Sequence, residues 1–210
     1  MLRILIACLA ALFLSACGAE RVWAPDERVA AARYVAGPPP SISLITVIND
    51  RSGAGAHSGL LINASQRVLF DPAGSWKHPD VPERNDLHYG ITDQVLYFYR
   101  DYHARDTEAE KFHVVEQTLI VTPEIAETVM RLAMDYGAVP KAYCANSISN
   151  ILSGVPGFEA ISTTMFPKRL RADFATIPGV TEQIFTEEND NPGVGGHSVV
   201  LVDRQGNRVN

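Results

Sequence analysis

The sequence predicts an α+β fold, an antiparallel sheet packed against helices. Three observations lead there. Apolar alternation typical of strands recurs at 41–48, 57–70 and 112–121. Apolar residues at three- and four-residue spacing mark helices at 92–102, 123–136 and 144–155. The strand-like runs on either side of 63–66 are joined by a polar turn, as in a hairpin.

The chain opens with Arg3 and an apolar run from Ile4 through Phe13, too short for a permanent membrane span and readable as a signal segment covering 1–16. Leu14-Ser15-Ala16-Cys17 resembles the bacterial lipobox. That resemblance implies cleavage before Cys17, which is left as an N-terminal residue bearing several palmitate-like acyl chains, and a location in the bacterial cell envelope, facing the periplasm or exterior. More than one acyl chain is what stable anchoring needs, so the expected protein is attached to a membrane without crossing it. Residues 17–40 then read as a lipidated N-terminus and tether, with a short helix over Pro25–Val35 and a stiff extended spacer at Gly37-Pro38-Pro39-Pro40.

A single domain is expected over 41–185, followed by an acidic, Gly-rich segment and C-terminal tail over 186–210. The net charge of -6 and the lack of a long Lys/Arg run argue against a nucleic-acid partner. Of 3 cysteines, Cys8 lies in the signal segment and Cys17 at the lipid site, leaving Cys144 as the one free thiol and no internal disulfide.

Within the domain, Ser41 to Ile48 is a half- to fully buried strand and 49–56 a loop rich in Asp, Ser and Gly. His57-Ser58-Gly59-Leu60-Leu61-Ile62 and Arg67-Val68-Leu69-Phe70 form the hairpin, which stops at Asp71-Pro72-Ala73-Gly74. Residues 75–91 read as a long loop, a candidate cleft wall or lid. Thr92 caps a helix with the stripe Val95, Phe98, Tyr99 and Tyr102, and Phe112 to Val121 is a strand. Thr122-Pro123 starts a helix that buries Ile125, Val129, Leu132, Ala133 and Tyr136 and stops at Gly137. Cys144 opens the next helix, with Ile148, Ile151, Leu152 and Val155 on one face; Phe166–Phe174 is a further helix, and 186–196 is a mobile stretch.

A thiol at a helix start meets unpaired N–H groups and the positive dipole end, and a neighbouring imidazolium lowers its pKa further. Cys144 with His57 fits that chemistry. The same spacing also fits a core cysteine, since Ile148 continues its face.

The histidine hairpin, His57 to Pro72, resembles that of the NlpC-type cell-wall peptidases, and Tyr143-Cys144-Ala145-Asn146-Ser147-Ile148 resembles their cysteine helix. Histidine preceding cysteine is similar to the circularly permuted branch, which includes lecithin:retinol acyltransferase-like proteins and the YiiX/YaeF-like bacterial lipoproteins. The resemblance implies a permuted papain-like fold with Cys144 as nucleophile and His57 as general base. It also implies a third polar residue on the next strand. When the hairpins are matched at Arg67-Val68, that place falls on Phe70, and Asp71 takes it only if a bulge turns it inward; Asp71 reads equally as a turn residue before Pro72.

His197, opening a strand-like run to Asp203, competes with His57 for the base. His78, His88, His103 and His113 form no tight ligand pair, so no metal is expected and these are read as scattered surface or loop histidines. The expected function is a membrane-anchored thiol hydrolase or acyltransferase. It would cleave an amide or ester of a peptide, peptidoglycan or lipid substrate through an acyl-enzyme, without a cofactor. The alternative is a non-catalytic envelope lipoprotein using the fold as a binding module.

Overall fold

The computed structural model describes residues 19–107, 109–188, 198–203 and 207–209. Cys17, the signal segment and His197 lie outside the described residues, as does the whole of 189–197.

Strand β1 (Ser41–Asn49) is apolar on both faces and buried along nearly its whole length, which places it at the centre of the sheet. It pairs antiparallel with β2 (Gly55–Asn63) on one side and β6 (Phe112–Ile120) on the other. Strands β3 (Arg67–Phe70), β4 (Glu83–Arg84), β5 (Leu87–Tyr89), β7 (Thr181–Glu188) and β8 (Ser198–Val202) complete an 8-stranded sheet of order β4-β5-β3-β2-β1-β6-β7-β8. All the neighbouring pairs are antiparallel.

Alternation sorts the strand residues onto two faces. Ile42, Leu44, Leu60, Ile62, Val68 and Phe70 meet the helices α3 (Pro123–Tyr136), α4 (Cys144–Leu152) and α5 (Pro167–Ala175) through Val129, Ile148 and Leu170. Ile45, Val47, Leu61, Leu69 and Val114 face the other way, toward Leu96 and Tyr99 of α2 (Asp93–His103) and toward Trp76. Helix α2 is fixed to this face by Arg100, whose Nε and guanidinium nitrogen donate to Glu116 Oε2 at 3.0 and 2.7 Å and whose charge stands over the Phe185 ring.

Several expectations change. Residues 75–91 are not a plain loop. Asn85 and Asp86 take positive φ of 47° and 67°, a tight two-residue turn that adds the β4–β5 hairpin to the sheet. The 186–196 stretch begins inside β7, which crosses the expected domain boundary at 185, and β8 continues the sheet to Val202. Residues 19–40 lie against the domain rather than standing off it. Ala24 donates to the Glu83 carbonyl, Trp23 bridges to Arg84 on the sheet's edge strand, and the Tyr34 carbonyl accepts from the Arg67 N–H. Covering that edge removes a row of unpaired backbone groups. The helix in this stretch, α1 (Asp26–Ala31), is shorter than expected. Helix α2 buries Leu96, Tyr99 and His103, so its inner face is rotated from the expected stripe and Phe98 stands exposed. Helix α4 ends at Leu152, short of Val155.

Candidate active site

The β1–β2 register shifts between Val47 and Ile48: Val47 opposes His57 while Ile48 opposes Gly55, leaving Ala56 as an extra residue just before the histidine. A bulge of this kind bends the strand and re-aims the next side chain. It falls beside His57, and the β2–β3 ladder that leads to Asp71 runs without a shift.

Asp71 reaches His57 by simple alternation. In the β2–β3 ladder Leu60 opposes Phe70 and Leu61 opposes Leu69. Phe70 therefore joins Leu60 on the α4 face, edge-on to Tyr136 with ring centres 5.9 Å apart. The next residue turns to the face of Leu69, Leu61 and His57. Asp71 is kept extended by its own N–H, which donates to the Asp86 carbonyl at 2.8 Å. Its Oδ1 lies 2.6 Å from His57 Nε2 and accepts from the Tyr99 hydroxyl at 2.7 Å. The place assigned to Phe70 by matching motifs is thus held by Asp71, which is 1% exposed.

Two glycines make room for this carboxylate. A Cβ on Gly74 would stand 1.8 Å from Asp71 Oδ2, and one on Gly59 would stand 2.5 Å from the Tyr99 hydroxyl. Asp71 Oδ2 has no hydrogen-bond partner among the described residues.

Cys144 is the first residue of α4 and is buried. Helix α4 lays Ile148 and Leu152 against Leu60 and Ile62, which brings its N-terminus up to β2 at Ser58. Tyr143, at the N-cap, gives no side-chain hydrogen bond, so the first-turn N–H groups are not capped by their own neighbour. The backbone N–H groups of Ser58 and Ala145 and the His57 ring are the polar groups that act on the sulfur. With Nε2 committed to Asp71, Nδ1 is the nitrogen left for the thiol. Just upstream, Ala142 adopts a positive φ of 70°, a conformation that costs an L-residue energy and sharpens the turn into the helix.

The electrostatics follow the geometry. Burial, the largest influence on the Cys144 thiol, pushes it up, but the hydrogen bond and charge of His57 with the two N–H groups outweigh it and bring the thiol below its ordinary value. Burial likewise pulls His57 down, and the charge and hydrogen bond of Asp71, helped by Cys144, raise it to about 10. Asp71 is pushed up by burial and held well below the carboxylate range by the His57 imidazolium. Each shift runs toward the charged form of its group, thiolate, imidazolium and carboxylate.

His103 and Tyr99 extend the cluster. The His103 ring stacks on His57 with centres 5.5 Å apart and planes within 8°, and its Nδ1 pairs with the Tyr99 carbonyl at 2.9 Å. Burial holds His103 down at about 4, so it is neutral and adds no repulsive charge against His57. His103 and His88 are buried, contrary to the reading of the remaining histidines as surface or loop residues. The signal that would have found His103 is its position on the Leu96–Tyr99–His103 stripe of α2.

Donor atoms of His57, Asp71 and His103 lie within 4.8 Å of one another. The 2.6 Å separation between His57 Nε2 and Asp71 Oδ1 is that of a shared proton. Ligands bound at about 2.0–2.2 Å around a tetrahedral ion stand farther apart than that. His57 and Asp71 as placed form a hydrogen-bonded pair, with the His103 ring stacked on the imidazole.

No family model matches the chain, and no curated protein or solved structure is significantly similar to it.

Proposed function

We propose that this protein is a thiol hydrolase or acyltransferase with Cys144 as nucleophile, His57 as acid and base, and Asp71 as the residue that orients and charges the imidazole. The observation that carries the reading is the alignment of Cys144, His57 and Asp71, with a 2.6 Å bond between the last two and the sulfur at an uncapped helix start. Support for a permuted papain-like, NlpC-type arrangement comes from chain order: histidine on β2, carboxylate just after β3, cysteine later on α4.

In the reaction the Cys144 thiolate attacks the carbonyl carbon of an amide or ester. The C–S bond forms as the carbonyl electrons move to oxygen, where N–H groups at the start of α4 face the developing charge. His57 then passes its proton to the leaving nitrogen or oxygen and that bond breaks, leaving acyl-Cys144. Water or another acceptor gives its proton to His57, attacks the thioester and restores the thiolate. Peptide, peptidoglycan and lipid carbonyls all meet this chemistry, which needs no cofactor and no metal.

The test is single-turnover acylation with p-nitrophenyl acetate. A burst of one nitrophenolate per protein, with acetyl mass on Cys144, is expected, and Cys144→Ala should abolish it. A protein that gives no burst, or acetylates elsewhere, overturns the reading. Anchoring in the bacterial envelope through Cys17 is part of the proposal and rests on the lipobox resemblance. Cys17→Ser should move the protein from the membrane to the soluble fraction and remove palmitate labelling.

A further inference from the structure

A cavity of about 210 Å³ opens beside the imidazole, with His57, His103, Tyr102, Arg105, Ser75 and Phe112 in its wall. Among the described residues of its wall Arg105 is the only permanent cation. The guanidinium stands 5.1 Å from the centre of the Tyr102 ring and 5.9 Å from that of Phe112, so aromatic groups from two different elements hold it. The Phe112 N–H donates to the Arg105 carbonyl at 2.9 Å, which fixes the backbone as well. Among the described residues no carboxylate pairs with this guanidinium. An arginine held over rings still has N–H groups free for an oxyanion, and its planar fork matches a carboxylate in particular.

We propose that this cavity is a carboxylate subsite anchored by Arg105, and that it takes a part of the substrate that extends past the His57 ring, away from the sulfur. The assignment of its role in turnover rests on the thiol-enzyme reading above. Cys144 is not in the cavity wall, whereas His57 is. A group seated there belongs to the portion of the substrate that does not become attached to Cys144, the leaving fragment or the later acceptor. On acylation the C–N or C–O bond to that fragment breaks, and the fragment departs with its carboxylate still paired to Arg105. One guanidinium beside the Ser75–Tyr102 hydroxyl pair, 3.0 Å apart, suits a monoanion better than a phosphate dianion, which needs more donors. The substrate class is an acyl compound whose leaving or accepting portion carries a free carboxylate, such as a peptide with an acidic or C-terminal residue.

N-acetylglycine, its neutral amide N-acetylglycinamide and inorganic phosphate provide the test, titrated against the protein released from its signal segment. Two readouts run in parallel: the imidazole NMR signals of His57 and His103, and the rate at which iodoacetamide alkylates Cys144. N-acetylglycine should shift both imidazoles saturably and slow alkylation over the same concentrations, with the amide at least tenfold weaker. Arg105→Gln should raise the half-saturating concentration at least tenfold, and Arg105→Lys should recover part of that loss. Equal binding of the amide, an unchanged affinity in Arg105→Gln, or a preference for phosphate overturns the carboxylate assignment. Saturable imidazole shifts in a protein whose Cys144 resists iodoacetamide at neutral pH support the subsite and overturn the thiol-enzyme reading, which keeps the two failures apart.

Discussion

Replacing Asp71 by Asn removes one charge while keeping the shape of the side chain and an acceptor for the Tyr99 hydroxyl. In the native site burial is the largest influence on His57 and acts downward; Asp71 is the main opposing one. Holding an imidazole at about 10 instead of 6.5 corresponds to about 5 kcal/mol of preference for the protonated ring. Without the carboxylate, burial prevails and the ring falls to or below its ordinary value. Cys144 then loses the imidazolium that offsets its own burial. With burial unopposed the thiol rises to or above its ordinary value and is almost wholly protonated at pH 6, and its higher intrinsic nucleophilicity recovers only part of that deficit. Alkylation of Cys144 by iodoacetamide at pH 6 should therefore fall about 10- to 100-fold in Asp71→Asn. The native profile should rise at lower pH than the variant's, because only the native sulfur faces an imidazolium, which persists until His57 deprotonates near 10. The two rates should converge at alkaline pH, where both sulfurs are ionised. The assay is stopped-flow alkylation with mass spectrometry, on protein whose circular dichroism shows it folded. Superimposable profiles would refute the assignment of Asp71 as the charge behind the imidazole.

Tyr99→Phe deletes the 2.7 Å bond to Asp71 and should cost about 1–3 kcal/mol in urea unfolding. It should leave the acid limb of Cys144 alkylation within one pH unit, because the carboxylate charge remains. Gly74→Ala should reproduce the Asp71→Asn profile, since the new methyl would sit 1.8 Å from Asp71 Oδ2 and force the carboxylate away from His57. A native profile in that variant would show that the loop yields instead. His103 is depressed from 6.5 to about 4, so the unfolded chain takes its proton first; the stability it contributes is present above 6.5 and is lost as pH falls toward 4. His103→Asn should flatten the urea midpoint between those limits, and an unchanged slope would mean that the ring is not held neutral. His57 has the opposite sign, contributing fully below 6.5 and losing its contribution as pH rises through about 10, visible as a falling urea midpoint on the alkaline side.

The elements that bury one continuous apolar face could be read from the sequence. β1, β2, β3 and β6 follow alternation, and α3 and α4 begin near Thr122-Pro123 and at Cys144 as expected. Elements of two or three residues could not be read that way. β4 and β5 are too short to show a period, and their signal is the Asn85-Asp86 turn, whose residue types tolerate the left-handed region without the glycine that usually marks it. On α2 the spacing fits two neighbouring stripes. Tyr99 belongs to both, and the buried one ends in a histidine instead of an apolar residue. Contact between positions 57 and 144 has no local signature at all, because it depends on how α4 lies across β2.

The third member of the site was legible in a different way, through register. The β2–β3 turn fixes Leu60 opposite Phe70, and with the pairing known, parity alone assigns Asp71 to the His57 face and Phe70 to the core. Comparing motifs by their sequence offsets loses that parity, which is why it pointed to Phe70. The same constraint ties stability to chemistry. A one-residue slip of β3 would move Phe70 out of its contacts with Leu60 and Ile62 and push the Asp71 carboxylate into their place, away from Tyr99 and His57. Burying a carboxylate in an apolar core without a partner costs far more than a slipped ladder recovers, so the register that completes the core is also the one that completes the relay. A residue inserted into the 63–66 turn leaves that register intact, because the extra length stays in the loop. One inserted between Leu69 and Phe70 breaks it, and should abolish rapid alkylation of Cys144 together with cooperative unfolding.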